Sequence, residues 1–441
     1  MSRCSEGKFS VFILSFLLLI LLASGAVAQE GRFTLKQCID RALEENVDVL
    51  SARYSYGSAK QDYLEAWGRA LPSASASATY RYTRSFGTQY DPVLHTTYQD
   101  PGSKSYGTGL TLSMTLFDGG RTWLNIKKYS EQKNSSKESL QASIYSTVFD
   151  IKQAYYNLVS AIMLKKVQAD ALARSKKQLE VTTTRYDLGS ASLSEKLKQE
   201  VNVANDSLTL LERENDIRNA EFSLNLLMNR DPELPLTPLD SLTEVDFDMT
   251  VNEALKIAMD NNPTLRKSKA DLSASKASLR MTQSNWIPNV TARMNWGWST
   301  LNGDEWLKYK YQNGSYGFAI TIGYTLFDAF TKKTDYTRSK LAARRSDEEY
   351  NAELKRVAQW IRQYYLDIQK SRLQYETAQL AEKSAQEDLK LQEEKYRLGA
   401  SSILELLDAQ YSLTNAQYNM VQALYSLNIA AAGMAQAMGR M

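Results

Sequence analysis

Glu405 and Asp408 are the residues whose type and spacing first suggest chemistry. They follow the stretch Tyr396-Arg397-Leu398-Gly399-Ala400-Ser401-Ser402, which interrupts an otherwise helical pattern. Gly399 and the small residues after it read as a helix stop, a tight turn and a new N-cap. Glu405 and Asp408 then fall at i and i+3 of the new helix and share one face. Carboxylates so placed either present an acidic surface to cations or only complement the positive end of the helix dipole. The residues alone leave both readings open. A related turn occurs earlier as Tyr186-Asp187-Leu188-Gly189-Ser190-Ala191-Ser192-Leu193-Ser194-Glu195, and Gly189 and Gly399 stand 210 positions apart.

The remaining inventory offers little to an enzyme. His95 is the only histidine and falls in a predicted loop. There is no HExxH, no His-rich or Cys-rich metal cluster and no phosphate-binding Gly-Lys loop, so no catalytic residue, cofactor or metal is expected. The formal charge is +3, and near-balance of that kind argues against a nucleic-acid partner.

The elements that hold these residues begin after a targeting segment. Arg3 and Lys8 precede the apolar run Phe9 to Leu22, and Ala26-Val27-Ala28 is a small-residue cleavage site. Residues 1–28 are expected to be a signal peptide. Cys4 lies before the apolar run and is not placed to carry a lipid. Cys38 is then the one thiol of the mature chain. It sits in a helical apolar pattern and is expected to be a small buried residue.

The mature chain reads as one unit used twice. Thr34-Leu35-Lys36 and Thr250-Val251-Asn252 open similar helices 216 positions apart, and Leu71-Pro72 matches Ile287-Pro288 at the same offset. After the next loop Phe117-Asp118 matches Phe327-Asp328, and Met228 with Arg230 matches Met438 with Arg440, now 210 apart. One length change in a loop accounts for the difference. The first repeat is placed at 29–232, a proline-containing linker at 233–248 and the second repeat at 249–441.

Each repeat carries two segments of strict alternation, predicted as strands at 73–83 and 107–117, then at 289–299 and 316–327. Ala74, Ala76, Ala78, Tyr80 and Tyr82 alternate with serines, threonines and Arg81. Period two gives one apolar and one polar face. Four such strands, with Tyr and Trp near their ends, fit a lipid-facing barrel with a wet interior. Four strands leave two edges open in hydrocarbon, where each unsatisfied backbone group costs several kcal/mol. Copies of the chain must complete the wall; two, three or four remain open at this point. The loops Arg84–Ser105 and Thr300–Ser315 are placed outside the cell.

Helices fill the rest. Arg121 to Tyr186 contains no Gly or Pro, and Ile144, Val148, Ile151, Tyr155 and Leu158 form a coiled-coil seam. About 65 residues at 1.5 Å each reach roughly 100 Å. The helical hairpins are placed at 121–229 and 331–439. An opening helix, Asp40 to Leu71, stacked on the shorter return helix, Ser192 to Asn229, would match the long one.

With these features in place the sequence resembles the TolC family of outer membrane efflux channels. The likeness rests on the duplication, the strand pairs, the helix lengths and the motifs Arg185-Tyr186-x-Leu188-Gly189 and Lys395-Tyr396-x-Leu398-Gly399, the latter followed by Leu404-Glu405-Leu406-Leu407-Asp408-Ala409-Gln410. The resemblance implies a mainly α protein with β structure: a long antiparallel coiled-coil helical barrel continuous with a trimeric twelve-stranded transmembrane β-barrel, four strands from each protomer. It implies a homotrimer in outer membrane lipid with helices in the periplasm. It also implies a passive exit duct for efflux or type I secretion, docked to a periplasmic adaptor and an inner-membrane RND or ABC transporter.

On the same resemblance, Leu188, Gly189, Ser190, Leu398, Gly399 and Ala400 match the adaptor-contacting tips. Glu405 and Asp408 match the acidic ring at the periplasmic constriction, where neighbouring carboxylates should raise one another's pKa. Ser194, Glu195, Tyr396 and Ser401 match the polar links that keep the mouth shut. Tyr396 has Glu195 as its counterpart for a hydrogen bond. Ser401 stands where some members carry arginine, so that ion pair is lost. The alternative reading is a trimeric, outer-membrane-anchored coiled-coil structural or adhesion protein; such proteins keep their strands at one terminus, whereas here they lie inside each repeat.

Overall fold

The computed structural model describes residues 31–84, 86–93, 95–99, 102–308 and 314–440. The expected signal peptide, with Cys4, lies outside the described residues. The chain runs β1 (Arg32–Phe33), α1 (Leu35–Glu45), α2 (Val47–Gly68), β2 (Ser73–Thr83), β3 (Thr88–Asp91), β4 (Thr96–Gln99), β5 (Ser103–Phe117), α3 (Arg121–Asp187) and α4 (Leu193–Leu227). It continues with β6 (Thr237–Pro238), α5 (Val251–Asn261), α6 (Pro263–Ser284), β7 (Asn289–Thr300), β8 (Gly314–Gly323), α7 (Thr331–Arg397) and α8 (Ile403–Met438). These fall into two compact units.

The first unit takes in residues up to 53, 139–263 and 354 onward. It contains two cores that repeat one another. Cys38, Ala42, Ile151, Leu158, Ala220 and Leu224 form one, and Ala254, Ala258, Ile361, Ile368, Ala430 and Met434 form the other. Each residue of the second stands at the 216 or 210 offset from its counterpart in the first. Both helix pairs start from a capping box, Thr34 with Gln37 and Thr250 with Glu253, which satisfies the first free backbone donors. Burial pushes the Cys38 thiol up to about 12, so it is held neutral as a small core residue.

The opening helix is not continuous, as the apolar pattern predicts, but breaks at Asn46, and its counterpart breaks at Asn262. Each asparagine ends one helix with extended backbone. Asn46 Nδ2 donates to Leu227 O at the end of α4 (2.9 Å), and Asn262 Nδ2 donates to Ala437 O near the end of α8 (2.9 Å). The side chain satisfies a terminal carbonyl that no helical partner can reach. Between the repeats, the linker supplies β6, parallel to β1, and buries Leu236 and Leu242 in the first core. Tyr155 Oη donates to Phe33 O (3.2 Å) and accepts from Asp240 N (3.0 Å), so the linker is fastened to the helical body.

The second unit takes in residues 54–138 and 264–353. Its sheet has the order β2-β5-β7-β8 and is antiparallel throughout. The helical segments lie in the same order. Lys133 of α3 sits 4.2 Å over the Tyr63 ring of α2. Ser135 Oγ of α3 donates to Asp271 of α6 (2.5 Å), and Ser275 of α6 shares a hydrogen bond with Ser346 of α7 (2.9 Å).

Strand limits differ from the pattern in three of the four strands, and the expected strand 316–327 also starts two residues early, at Gly314. The expected strand 316–327 ends at Gly323, because Gly323 pairs with Asn289 and the preceding residue, Pro288, has no N–H to extend the ladder. The expected strand 107–117 begins at Ser103, where β2 still offers Thr83 as a partner, and the expected strand 289–299 runs on to Thr300. Within the expected external loop 84–105, β3 and β4 form a short hairpin. His95 lies in its turn with φ 49 and a 2.9 Å contact from Nδ1 to Tyr90 Oη.

Candidate functional site

The sheet's register turns four separate alternations into two chemically distinct surfaces. Ala76, Leu110, Trp296 and Tyr316 pair across the strands, as do Ala74, Leu112, Met294 and Phe318. Met114, Ala292 and Ile320 make a third row, and Val290 pairs with Ile322. The intervening rows are Ser73, Ser113, Arg293, Ala319 and Ser75, Thr111, Asn295, Gly317. Thr111 Oγ1 donates to Asn295 (3.1 Å) on this hydroxylated side. A one-residue slip anywhere would mix the faces.

The apolar face is uncovered: Tyr316 is 85% exposed, Ile322 72% and Phe318 70%. The outer strands β2 and β8 each have a sheet neighbour on one side only. Such long apolar edges are not left bare in water.

Aromatic side chains gather at both ends of the strands. Tyr80, Tyr106 and Trp306 stack at 5.2 and 5.5 Å at one end, and Trp306 Nε1 donates to Gly107 O (3.3 Å). At the helix end Trp67 meets Trp123 edge-on at 5.8 Å and Trp286 meets Tyr336 at 5.7 Å. Paired belts of Trp and Tyr are the arrangement favoured at the two interfaces of a bilayer. On the polar side an open cleft of about 570 Å³ is lined by Thr115, Asn289, Asp118, Arg121, Asp328 and Lys332 among others. Asp118 and Asp328 cap α3 and α7 through Thr122 N (2.8 Å) and Lys332 N (2.9 Å).

The two helix-to-helix turns belong to the first unit and have one geometry. Gly189 and Gly399 adopt φ 72 and 74. Ser190 N donates to Arg185 O (2.7 Å) and Ala400 N to Lys395 O (2.8 Å). These bonds close the orphan carbonyls of α3 and α7 in a glycine-dependent stop. Leu188 and Leu398 are 78% and 71% exposed. Ser192 and Ser402 then cap α4 and α8. Each turn thus offers one bare leucine at its tip.

Glu405 is the N3 residue of the Ser402 capping box. Ser401 Oγ donates to Glu405 Oε2 (2.6 Å), as does Ser402 N (2.8 Å). The Ser401 bond, then the Ser402 backbone bond, hold the Glu405 carboxyl below its usual value. Within one chain the capping role is therefore real and acts against the upward shift that a ring of acids would impose. Glu405 and Asp408 are both exposed on one face of α8, while Leu406 and Ala409 point to the core.

Ser194 is exposed and Glu195 hydrogen-bonds the cap Ser192 (3.3 Å). The Tyr396 ring is 4% exposed, in a cluster with Leu389, Ile403, Leu406 and Leu413. Its hydroxyl is buried without a hydrogen-bond partner, so the Tyr396–Glu195 bond suggested by the resemblance is not made within the chain. Ser401 Oγ also lies 3.1 Å from Gln392 Oε1, which competes with Glu405 for its one proton.

Sequence reasoning overlooks Arg185 as a site residue. Its guanidinium stacks 4.8 Å from the Tyr396 ring centre and donates to Tyr396 O (3.4 Å), joining the two tips. No local signal links residues so far apart in the chain. Among the described residues no helix is long and apolar enough to cross a membrane, and no group of His, Cys, Asp and Glu is placed to hold a metal ion.

The sequence profile of the outer membrane efflux protein family matches residues 38–230 and 254–440, one match in each repeat. The chain is 24% identical over 222 residues to outer membrane protein TolC of Vibrio cholerae, covering 50% of this chain and 46% of that protein. It is 22% identical over 398 residues to TolC of Salmonella enteritidis, covering 87% and 77%. The chain thus spans about half the length of the first of these relatives and more of the second. Among solved structures, the outer membrane protein VceC of Vibrio cholerae superposes with a TM-score of 0.82 at 17% identity, covering 92% of this chain and 96% of that one.

Proposed function

The chain belongs to the outer membrane efflux protein family, and from that premise we propose that it forms a passive exit duct through an outer membrane. Three copies join their four-stranded sheets edge to edge into one twelve-stranded barrel, and their helices form a tunnel in the periplasm. The observation that carries this reading is the sheet. It has one apolar and one hydroxylated face in register, aromatic belts at both ends, and two edges that need strands from elsewhere. Closure removes the edges, sets the apolar rows against lipid and leaves the serine and threonine rows around water.

The tips at Gly189 and Gly399 dock a periplasmic adaptor through Leu188 and Leu398, and an inner-membrane transporter supplies the driving force. Glu405 and Asp408, three copies of each, ring the closed mouth and favour cations. The duct carries no catalytic chemistry of its own. Planar-bilayer conductance of the purified protein tests the proposal. A duct gives discrete cation-preferring steps, whereas an anchored stalk or adhesin conducts nothing.

A further inference from the structure

The helical segments of the second unit carry a basic surface that channel formation does not use. On α6, Arg266, Lys269, Lys276 and Arg280 are all exposed and share one face. Two ion pairs tie that face to its neighbours. Arg266 approaches Glu138 of α3 at 4.0 Å, and Lys276 approaches Asp347 of α7 at 3.6 Å.

Glu138 lies on the α3 face that also bears Trp123 and Lys127, three helical turns from Lys127. Asp347 lies on the α7 face of Lys333, Tyr336, Lys340 and Arg344, at helical spacing. The three faces therefore form one continuous surface, on which Glu131, Glu138, Asp347 and Glu348 are acids. The same surface bears the aromatic pair Trp286–Tyr336 and the Trp123 ring at the strand-proximal ends of the helices.

Charge is not spread evenly down this surface. Lys127, Arg280, Lys333 and Lys340 lie within roughly 15 Å of the strand-proximal helix ends. They make no ion pair among the described residues. Arg266, roughly 27 Å along, and Lys276, about 12 Å from the helix end, have carboxylates of their own. Cations without partners beside a ring of Trp and Tyr match the level at which lipid headgroups meet water.

We propose that Lys127, Arg280, Lys333 and Lys340 form a binding site for anionic phospholipid headgroups in the inner leaflet of the membrane that the sheet spans. The site rests on the membrane-spanning reading given above. It selects lipid by net negative headgroup charge, which a zwitterionic headgroup lacks, and anchors the helix-to-strand junction at a fixed depth. The Lys and Arg stems lie along the helices while their heads reach the phosphates. The attraction falls away within a Debye length of about 8–10 Å.

Tryptophan quenching by brominated lipid tests the site, because Trp67, Trp123 and Trp286 stand beside it. The full-length protein is reconstituted in equimolar phosphatidylcholine and phosphatidylglycerol vesicles, with one or the other lipid brominated. Brominated phosphatidylglycerol should quench more strongly, with a preference of roughly ten-fold. The preference should vanish in the Lys127→Gln, Arg280→Gln, Lys333→Gln, Lys340→Gln variant. It should also vanish for the unmutated protein in 1 M NaCl, about 3 Å of Debye length.

Equal quenching by the two lipids in the unmutated protein at low salt overturns the site. So does co-sedimentation with peptidoglycan sacculi that the variant loses, in the absence of any lipid preference, which assigns the surface to a wall polymer. A variant that keeps the lipid preference but changes ion selectivity places this face in the lumen and overturns it as well. Conductance in pure phosphatidylcholine is measured alongside. Its absence rejects the duct and leaves an observed headgroup preference standing.

Discussion

Arg185 and Tyr396, at the ends of the two long helices and in different repeats, are bound face to tail. The guanidinium lies 4.8 Å over the ring and an Nη1–H donates to the Tyr396 carbonyl at 3.4 Å. The ring itself is packed against Leu389, Ile403 and Leu406. The tip that carries Glu405 is thus held to the first hairpin by a stacked cation, and the Tyr396 hydroxyl adds no bond within the chain.

Loss of that stack should loosen the resting mouth. Arg185→Ala removes a cation–π contact and a carbonyl bond, together about 1 kcal/mol for a partly exposed guanidinium on a buried ring, or roughly five-fold in a closed-to-open equilibrium. Single-channel recordings without adaptor should show a several-fold rise in open probability, with Arg185→Lys in between. Recordings that match the unmutated protein would refute a role for the pair in closure.

The acidic face of α8 predicts a pH response. In one chain Glu405 is held below its usual value by Ser401 and then by the Ser402 backbone. A depressed carboxyl contributes stability that is present above its unfolded value and lost as pH falls through its folded value. The Glu405 cap should therefore persist at neutral pH and weaken only in acid below the ordinary glutamate range. Cation preference should fade over the same acid range as the Glu405 carboxylates are neutralised. Glu405→Gln with Asp408→Asn should show weak preference at all pH values, measured as reversal potential in a salt gradient. Unaltered reversal potential at neutral pH removes these residues from the mouth.

Gly399 tests the tip without touching its surroundings. A Cβ there would meet nothing within 4 Å, so space is not the obstacle. The backbone is at φ 74, where a β-branched side chain is strained by about 1–2 kcal/mol. Gly399→Val should distort the turn that presents Leu398 while the sheet, which belongs to the other unit, still assembles. Export that depends on a pump should fall several-fold with trimer level unchanged on a non-denaturing gel. Full export by this variant argues against docking at the tip.

How much of this was legible from residues alone follows from the range of each signal. The faces of β2, β5, β7 and β8 are local patterns that alternation marks as far as Thr115 and Gly323; beyond them a bulge sets Phe117 rather than Leu116 opposite Val290, and Tyr324 and Leu326 fall outside β8. The breaks at Asn46 and Asn262 are not local. An asparagine inside a helical pattern looks tolerable until Leu227, 181 residues away, offers the carbonyl it caps. The two-residue pairing of β1 with β6 is too short to show a period. Arg185 and Tyr396 meet over a separation of 211 residues, and only the packing of Tyr396 into the tip cluster brings them together. Glu405 was read from its spacing as an acid on an exposed face. Its bond to Ser401 depends on the turn placing that hydroxyl one helical turn ahead.

Ile320 and Ala319 are neighbours whose substitution should part the two faces of the sheet. Ile320 lies in the apolar row with Ala292 and Met114, and Ala319 in the polar row with Arg293 and Ser113. A lysine at 320 would face lipid near the middle of the strand. A charge there costs about 2–4 kcal/mol in a transmembrane barrel, a sizeable fraction of the margin of a folded domain. Ile320→Lys should lower the yield of heat-resistant oligomer in outer membrane fractions several-fold. Ala319→Lys adds the same charge one residue away but on the wet side. It should assemble normally and shift reversal potential toward anions, because each copy contributes a cation to the lumen. If the two lysines act alike on assembly, the faces are not divided between lipid and water; if they exchange effects, the sheet closes with the opposite face inward.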